Sequence, residues 1–166
     1  MSLREDLQKL NREMWTDGSV SIRPVETEED LVYAVFECRL TEEQQELVNP
    51  AGFSIGRAYI RREDNYPCLI CDGRDEPVGF ICFTKWLGEG EAYSWSFFID
   101  RDHQGRGYGR RAAQLSVRIL KAADPEIPVK LAAEKDNERA RRLYESLGFS
   151  LLPELDGDDL VYGLRS

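Results

Sequence analysis

Apolar positions along the chain follow a helical period first, a strand period next, and then both in turn. Leu3, Leu7, Leu10 and Met14 stand at helical spacing and predict an amphipathic helix over residues 1 to about 15, closed by Thr16-Asp17-Gly18. Val20 to Val25 reads as the first strand. Thr27 with Asp30, and Thr41 with Gln44, each resemble a capping box, so helices are expected from 27 through Cys38 and over about 41–64, with a break near Asn49-Pro50-Ala51-Gly52. From Tyr66 the pattern becomes strand-like. Cys68 to Asp72, Val78 to Trp86 and Tyr93 to Asp100 predict an antiparallel meander joined by turns at 72–77 and 87–90. Gly109 to Ala123 then places Ala112, Leu115, Ile119 and Ala122 on one helical face. Ile127 to Glu134 is the next strand, so 93–134 reads as a right-handed parallel crossover. A helix over about 137–147 ends at Gly148, which suits a left-handed cap, and a hairpin of 149–155 with 160–165 turns at Asp156-Gly157-Asp158-Asp159.

These elements fit one domain of α/β class over 19–166, with residues 1–18 as a helical extension packed on it. The chain has 166 residues, enough to bury a core without disulfides or a metal. Its 22 Lys+Arg against 31 Asp+Glu give a net charge of −9, which opposes nucleic-acid and membrane-surface binding and favours cationic ligands. No apolar run approaches the roughly 18 residues of a spanning helix. Acids at Glu5 and Asp6 stand where a signal peptide is apolar, so the expected location is cytoplasmic. Cys68 and Cys71 form a C-x-x-C, but on a strand they face opposite sides and cannot converge on one metal. With His103 the single histidine, no metal site is expected, and Cys38, Cys68, Cys71 and Cys82 read as small buried hydrophobes.

Chemistry concentrates where the strand at 93–100 meets the helix at 109. Gly105, Gly107 and Gly109 alternate there, so backbone N–H groups can approach an anion at the positive end of a helix dipole. The spacing satisfies neither a Walker A loop nor a dinucleotide fingerprint. Arg106, Arg110 and Arg111 reverse the sign of the charge locally, which suits a phosphate or pyrophosphate.

Gln104-Gly105-Arg106-Gly107-Tyr108-Gly109 resembles the Gln/Arg-x-x-Gly-x-Gly/Ala loop of the GNAT superfamily of N-acetyltransferases. Asn137, Ala140, Tyr144 and Gly148-Phe149 are similar to the Asn-x-x-Ala…Tyr-x-x-x-Gly-Phe pattern of that family's next helix. The resemblance covers about residues 20–165. Trp95-Ser96-Phe97-Phe98-Ile99-Asp100 looks most like the diamine and polyamine (spermidine/spermine) branch. It implies a mixed, mostly antiparallel sheet of about six to seven strands flanked by helices, with a central parallel pair that splays apart. It also implies acetyl-CoA as co-substrate, its pantetheine arm lying in the splay like an extra strand. Phe97, Phe98 and Ile99 would supply backbone contacts and an oxyanion donor. Gln104, Gly105, Arg106, Gly107, Tyr108, Gly109, Arg110 and Asn137 complete the implied cofactor site, and Tyr144 is the implied general acid.

Direct attack on a thioester needs a neutral amine, a donor for the developing oxyanion and a proton for the departing thiolate. The base is open. Polyamine-acetylating relatives often carry an acid just before the paired phenylalanines, where this chain has Trp95 and Ser96. Either Glu91 or a water held by Tyr93, Ser94 or Ser96 takes over, or the acceptor is not a polyamine. Trp86 and Trp95 are candidate walls of the amine pocket. Acids between Glu26 and Glu46, Glu43 among them, either draw a polycation or form a solvated helix face. The expected function is acetyl transfer to a small-molecule primary amine, a diamine or polyamine first. The alternatives are a peptide, protein or aminoglycoside acceptor, or a catalytically silent CoA-binding domain. Exposed sheet edges and the first helix are compatible with a homodimer.

Overall fold

The computed structural model describes residues 1–86 and 90–164, so Leu87 to Glu89 of the expected turn and Arg165 of the expected last strand lie outside the described residues. Ser2 and Glu5 close a reciprocal capping box on helix α1 (Leu3–Gln8). The helix is shorter than its apolar spacing predicts. Two turns already bury Leu3 and Leu7 completely, and Asn11 adopts extended backbone, which Asn favours over helix. The chain then forms a 3-10 turn at Arg12–Trp15.

Strand β1 (Val20–Pro24) leads to α2 (Glu28–Val32), whose Thr27–Asp30 capping box is present as expected. The helix continues as one π-helical segment, Tyr33–Glu37, in which Cys38 N–H reaches back to the Tyr33 carbonyl at 2.8 Å. The Thr41–Gln44 box opens the short α3 (Glu42–Gln45), and Pro50 precedes α4 (Ala51–Ile60).

β2 (Asn65–Asp72), β3 (Pro77–Trp86) and β4 (Ala92–Ile99) extend the sheet in the order β1-β2-β3-β4, all antiparallel. Gly79 on β3 has no room for a side chain, because a Cβ there would stand 2.6 Å from the Phe98 carbonyl oxygen. After β4 come α5 (Tyr108–Ala123), β5 (Lys130–Ala133), α6 (Glu138–Ser146), β6 (Phe149–Asp156) and β7 (Asp159–Leu164). β5 is shorter than expected because Asp124–Ile127 closes a turn with Ile127 N–H bonded to the Asp124 carbonyl. The second sheet has the order β5-β7-β6.

Two clusters of apolar side chains cover the two faces of the first sheet. Cys68 belongs to the one under α1 and α5, with Leu3, Tyr93 and Ile119, while Cys71 belongs to the one under α2 to α4, with Ala51, Phe80 and Phe98. The two sulfurs of the C-x-x-C are therefore on opposite faces, and all four cysteines are buried free thiols. Among the described residues no group of three or more His, Cys, Asp or Glu could hold a metal ion, and no helix is long and apolar enough to cross a membrane.

Candidate active site

Among the described residues one backbone bridge joins the two sheets. Tyr93 on β4 forms a parallel bridge with Val129, and its N–H donates to the Pro128 carbonyl at 2.8 Å. Beyond that bridge β4 pairs only with β3 and β5 only with β7, so their facing edges diverge. Backbone groups alternate in direction along a strand. Tyr93 faces β5, and Asp100 N–H faces β3, donating to the Val78 carbonyl at 2.8 Å. By that alternation Trp95, Phe97 and Ile99 turn their N–H and C=O groups toward the gap. Phe98 turns its own toward β3, which removes its N–H from the expected oxyanion donors. The Ile99 carbonyl is already engaged, accepting from Gln104 Nε2 at 3.0 Å.

Side chains alternate as well. Tyr93, Trp95, Phe97 and Ile99 point to the α5 face, while Phe98 joins the cluster under α2 to α4. Trp95 is 4% exposed and stacks edge-on against Phe149, with ring centroids 6.1 Å apart. It is a core residue with one edge on the cavity rather than a free wall of an amine pocket.

The glycine loop stands between β4 and α5 as its sequence predicts. Gly105 and Gly107 have φ of +78° and +85°, and Gly107 is the N-terminal cap of α5 without a side-chain hydrogen bond. Arg111 N–H is the first amide to bond back, to the Gly107 carbonyl. Among the described residues no acceptor takes the amides of Gly105 through Arg110, so this six-amide arc is open at the positive end of a 16-residue helix. A Cβ on Gly109 would make ordinary contact with Phe97 at 3.6 Å and Ile99 at 3.7 Å, so the protein itself does not demand glycine there.

The arc, the unpaired edge of β4 and the start of α6 open on one cavity of about 550 Å³. Thirteen of the fifteen residues expected at the site line it: Trp95, Ser96, Phe97, Phe98 and Ile99 from β4; Gln104, Gly105, Gly107, Tyr108, Gly109 and Arg110 from the loop and α5; Asn137 and Tyr144 from α6. Asn137 caps α6, accepting from Ala140 N–H at 3.2 Å. Tyr144 packs on Phe149 and Tyr162, at 6.2 and 5.8 Å between ring centroids. Burial pushes its phenol up to about 12, so it is a neutral proton donor at neutral pH.

Arg106 and Glu91 are not brought to the cavity. Arg106 is exposed. Glu91 precedes β4 and pairs with Lys85 at 3.3 Å, beyond the bridged end of the strand. Arg111 turns to Asp17, 3.9 Å away, and adds nothing to the loop, while Arg110 bonds Ser146 Oγ at 2.6 Å across to α6. Tyr93 donates its hydroxyl to Asp6 on α1, so it does not hold a water for the acceptor. Of the acids between Glu26 and Glu46, Glu43 alone lines the cavity among the described residues, and Asp30 is consumed by Arg23 at 2.8 Å.

Besides Thr41, which caps α3, three polar residues at the cavity were not anticipated. Gln44 on α3 accepts from Gln104 Nε2 at 2.8 Å, and Arg139 on α6 reaches Gln104 Oε1 at 3.5 Å, so the Gln104 side chain ties three elements together. The third is His103, whose Nδ1 lies 2.8 Å from Asp100 Oδ2. Burial would raise the Asp100 carboxyl, but bonds from Arg39 N–H, the His103 ring and Asp102 N–H outweigh it and hold it below the usual carboxylate range. The pattern Asp100-x-x-His103 carried a local signal; Gln44 and Arg139 pair across the chain and carried none.

The model of the acetyltransferase (GNAT) family matches residues 9–149. A mycothiol acetyltransferase from Beutenbergia cavernae is 32% identical over 87 residues, 51% of this chain and 29% of that protein. The L-amino acid N-acyltransferase MnaT of Escherichia coli is 31% identical over 94 residues, 54% of each chain. The aligned segments thus span about a third and about half of those relatives' lengths. Among solved structures, aminoglycoside acetyltransferase AAC(6')-Ib in complex with coenzyme A and kanamycin superposes with a TM-score of 0.69 at 22% identity, over 89% of this chain and 95% of that one. The GNAT domain of S. lividans PAT does so at 0.64 and 14%, over 87% and 89%. At these identities the superpositions speak for the fold: two sheets splayed from one bridge, with a glycine arc at the open end. With a family model spanning most of its length and that architecture behind it, the chain belongs to the acetyltransferase (GNAT) family.

Proposed function

We propose that the protein transfers an acetyl group from acetyl-CoA to the primary amine of a small molecule, directly within a ternary complex. One observation carries this reading: Gly105 and residues 107–110 of the open amide arc, the unpaired edge of β4 and the buried Tyr144 all line one cavity. The two relatives are an acetyltransferase and an N-acyltransferase, which supports acyl transfer.

The residues present fit acetyl-CoA. Amides from Gly105 to Arg110 would take the pyrophosphate, and the free N–H and C=O of Phe97 would bond the pantetheine amides as a neighbouring strand does. When bound, the co-substrate supplies an activated thioester. The Ile99 N–H, turned into the gap, is placed to donate to the carbonyl oxygen as charge develops on it. The amine nitrogen forms the new C–N bond to the carbonyl carbon as the C–S bond breaks. Tyr144 would give its proton to the sulfur, and the amine's surplus proton would leave through water at Ser96 to solvent, from which the phenol regains a proton.

For a diamine or polyamine acceptor the support is the charge of −9 and the carboxylate of Glu43, the one carboxylate among the described residues that line the cavity. Acetyl-CoA turnover, read as thiol release over a panel of diamines, polyamines, amino acids and aminoglycosides, tests the proposal. Turnover with at least one amine is expected. Tight CoA binding with no turnover across the panel would overturn it in favour of a silent binding domain.

A further inference from the structure

The outward face of α4 is apolar, the reverse of what a solvated helix presents. Ala51, Ser54 and Ala58 are the buried positions that meet the sheet, and the opposite side of the helix shows Gly52, Phe53, Gly56, Tyr59 and Ile60 without a charge among them. Tyr59 is 90% exposed, Ile60 81% and Phe53 56%. The patch continues onto the neighbouring helix. A Cβ on Gly52 would stand 3.9 Å from Val35 Cγ2, so the exposed Val35 and Phe36 of the π-helical segment adjoin this face. Seven of the ten large apolar side chains that are exposed among the described residues fall between Leu31 and Ile60, so the exposure is gathered on one side of the first sheet rather than scattered.

Charge is divided between the same two helices. Residues 27–38 carry Glu28, Glu29, Asp30 and Glu37 and no Lys or Arg, while residues 51–62 carry Arg57, Arg61 and Arg62 and no acid. Asp30 pairs with Arg23 and Arg61 with Asp64, but Glu28, Glu29, Glu37, Arg57 and Arg62 make no ion pair among the described residues. A surface that holds both signs, each on its own helix beside a shared apolar strip, is complementary to itself. A two-fold axis lays α4 of each copy on α2 of the other, so unlike charges meet twice. With the aliphatic residues between them, three aromatic side chains of roughly 150–250 Å² each give a patch of several hundred Å² per copy, within reach of the roughly 800 Å² that each partner buries in a standard interface.

We propose that a second copy of this chain docks on this face, α4 against the partner's α2 and the reverse, in a two-fold homodimer anchored by Phe36, Tyr59 and Ile60. The surface differs from the sheet edges and first helix expected to pair, since α1 has Leu3 and Leu7 wholly inside the core. Phe36, Phe53, Tyr59 and Ile60 do not line the cavity, so the inference stands or falls apart from acetyl transfer.

Sedimentation velocity over a concentration series tests it. The wild type should run at the mass of two chains with a Kd of about 10 μM or tighter. Phe36→Glu or Tyr59→Glu should weaken that dimer by about 10-fold or more with an unchanged far-ultraviolet spectrum, since both side chains are exposed in the single chain. Two charge reversals report the arrangement. Glu28→Lys with Glu29→Lys leaves both sides of the contact basic, and Arg61→Glu with Arg62→Glu leaves both acidic, so each double variant should dimerise less than the wild type by itself. Mixed in equal amounts, the two should form a mixed dimer, because each acidic helix then meets a basic one again. A dimer that the aromatic substitutions leave unchanged, or double variants that do not pair when mixed, would overturn the inference. So would a single-chain mass up to about 100 μM; flotation of the wild type on phosphatidylcholine vesicles, lost in Tyr59→Glu, would then make a lipid surface the occupant. Should a double variant fail to fold, the aromatic variants still decide.

Discussion

Gln104 in the glycine loop and Gln44 on α3 face each other across the mouth of the cavity, with Gln104 Nε2 donating to Gln44 Oε1 at 2.8 Å. The same Gln44 oxygen accepts from Thr41 N–H and so also closes the capping box of α3. One side chain thereby couples a short helix on the acceptor side to the loop expected to hold the co-substrate. Gln44→Ala should raise the KM for acetyl-CoA about 5-fold, the worth of about 1 kcal/mol, with a smaller change in kcat. Steady-state kinetics at saturating amine measure this, and an unchanged KM would separate the two elements.

Tyr144→Phe removes a proton donor and leaves the packing against Phe149 and Tyr162. The expected result is a fall in kcat of about 100-fold or more with the Kd for acetyl-CoA unchanged. Calorimetry and single-turnover rates distinguish the two quantities; full activity would dismiss Tyr144 as the acid.

The phenol of Tyr144, pushed up to about 12 by burial, stays protonated well above neutrality. Between pH 7 and about pH 10, the ordinary phenol value, kcat should therefore show no basic limb from this group. The sign for stability is the same. The folded pKa exceeds the unfolded one, so the contribution is complete below about pH 10 and is lost as pH rises through about 12. A pH–rate profile falling near pH 8 would assign the limb to another group.

Gly107→Ala forces a side chain onto backbone at φ +85°, costing about 1–2 kcal/mol, although a Cβ there meets nothing within 4 Å. The loss should appear chiefly as weaker CoA binding, because the arc must shift to relieve it. Isothermal titration against thermal melting separates the effects, and a large drop in Tm with unaltered affinity would contradict this.

Tyr93→Phe leaves Asp6, 5% exposed, without its hydroxyl donor at the point where β4 and β5 meet. Lys9 Nζ stays 3.9 Å from the other carboxylate oxygen, so a loss of about 1 kcal/mol is expected for the missing hydrogen bond, or a few degrees in Tm. Asp6→Asn, which keeps a hydrogen-bond acceptor, should lose less; equal losses would argue that the pair is not what holds α1.

What could be read from the residues was what is local. Gly148 predicted a left-handed cap and adopts that backbone. Thr27 with Asp30 and Thr41 with Gln44 predicted capping boxes that are present. The splayed pair at Tyr93 and Val129 was legible only through the family resemblance, since no local pattern says that two strands will fail to pair. Charges misled most. Arg111 and Glu91 looked like site residues by proximity in sequence, but each is engaged by a partner outside the cavity, Asp17 and Lys85. Gln44 and Arg139 meet Gln104 from 60 and 35 residues away, a juxtaposition that depends on packing.

The divergence of β4 from β5 has a thermodynamic side. An unpaired strand edge on a protein's surface invites other chains to add to it. Here two such edges face each other across the cavity. A ligand that completes them binds the folded chain and not the unfolded one, so occupancy adds to stability by mass action, about 2.7 kcal/mol at a concentration 100 times its Kd. The cleft proposed to hold the co-substrate is thus also where the two sheets leave backbone edges unpaired, and its occupancy should raise the melting temperature.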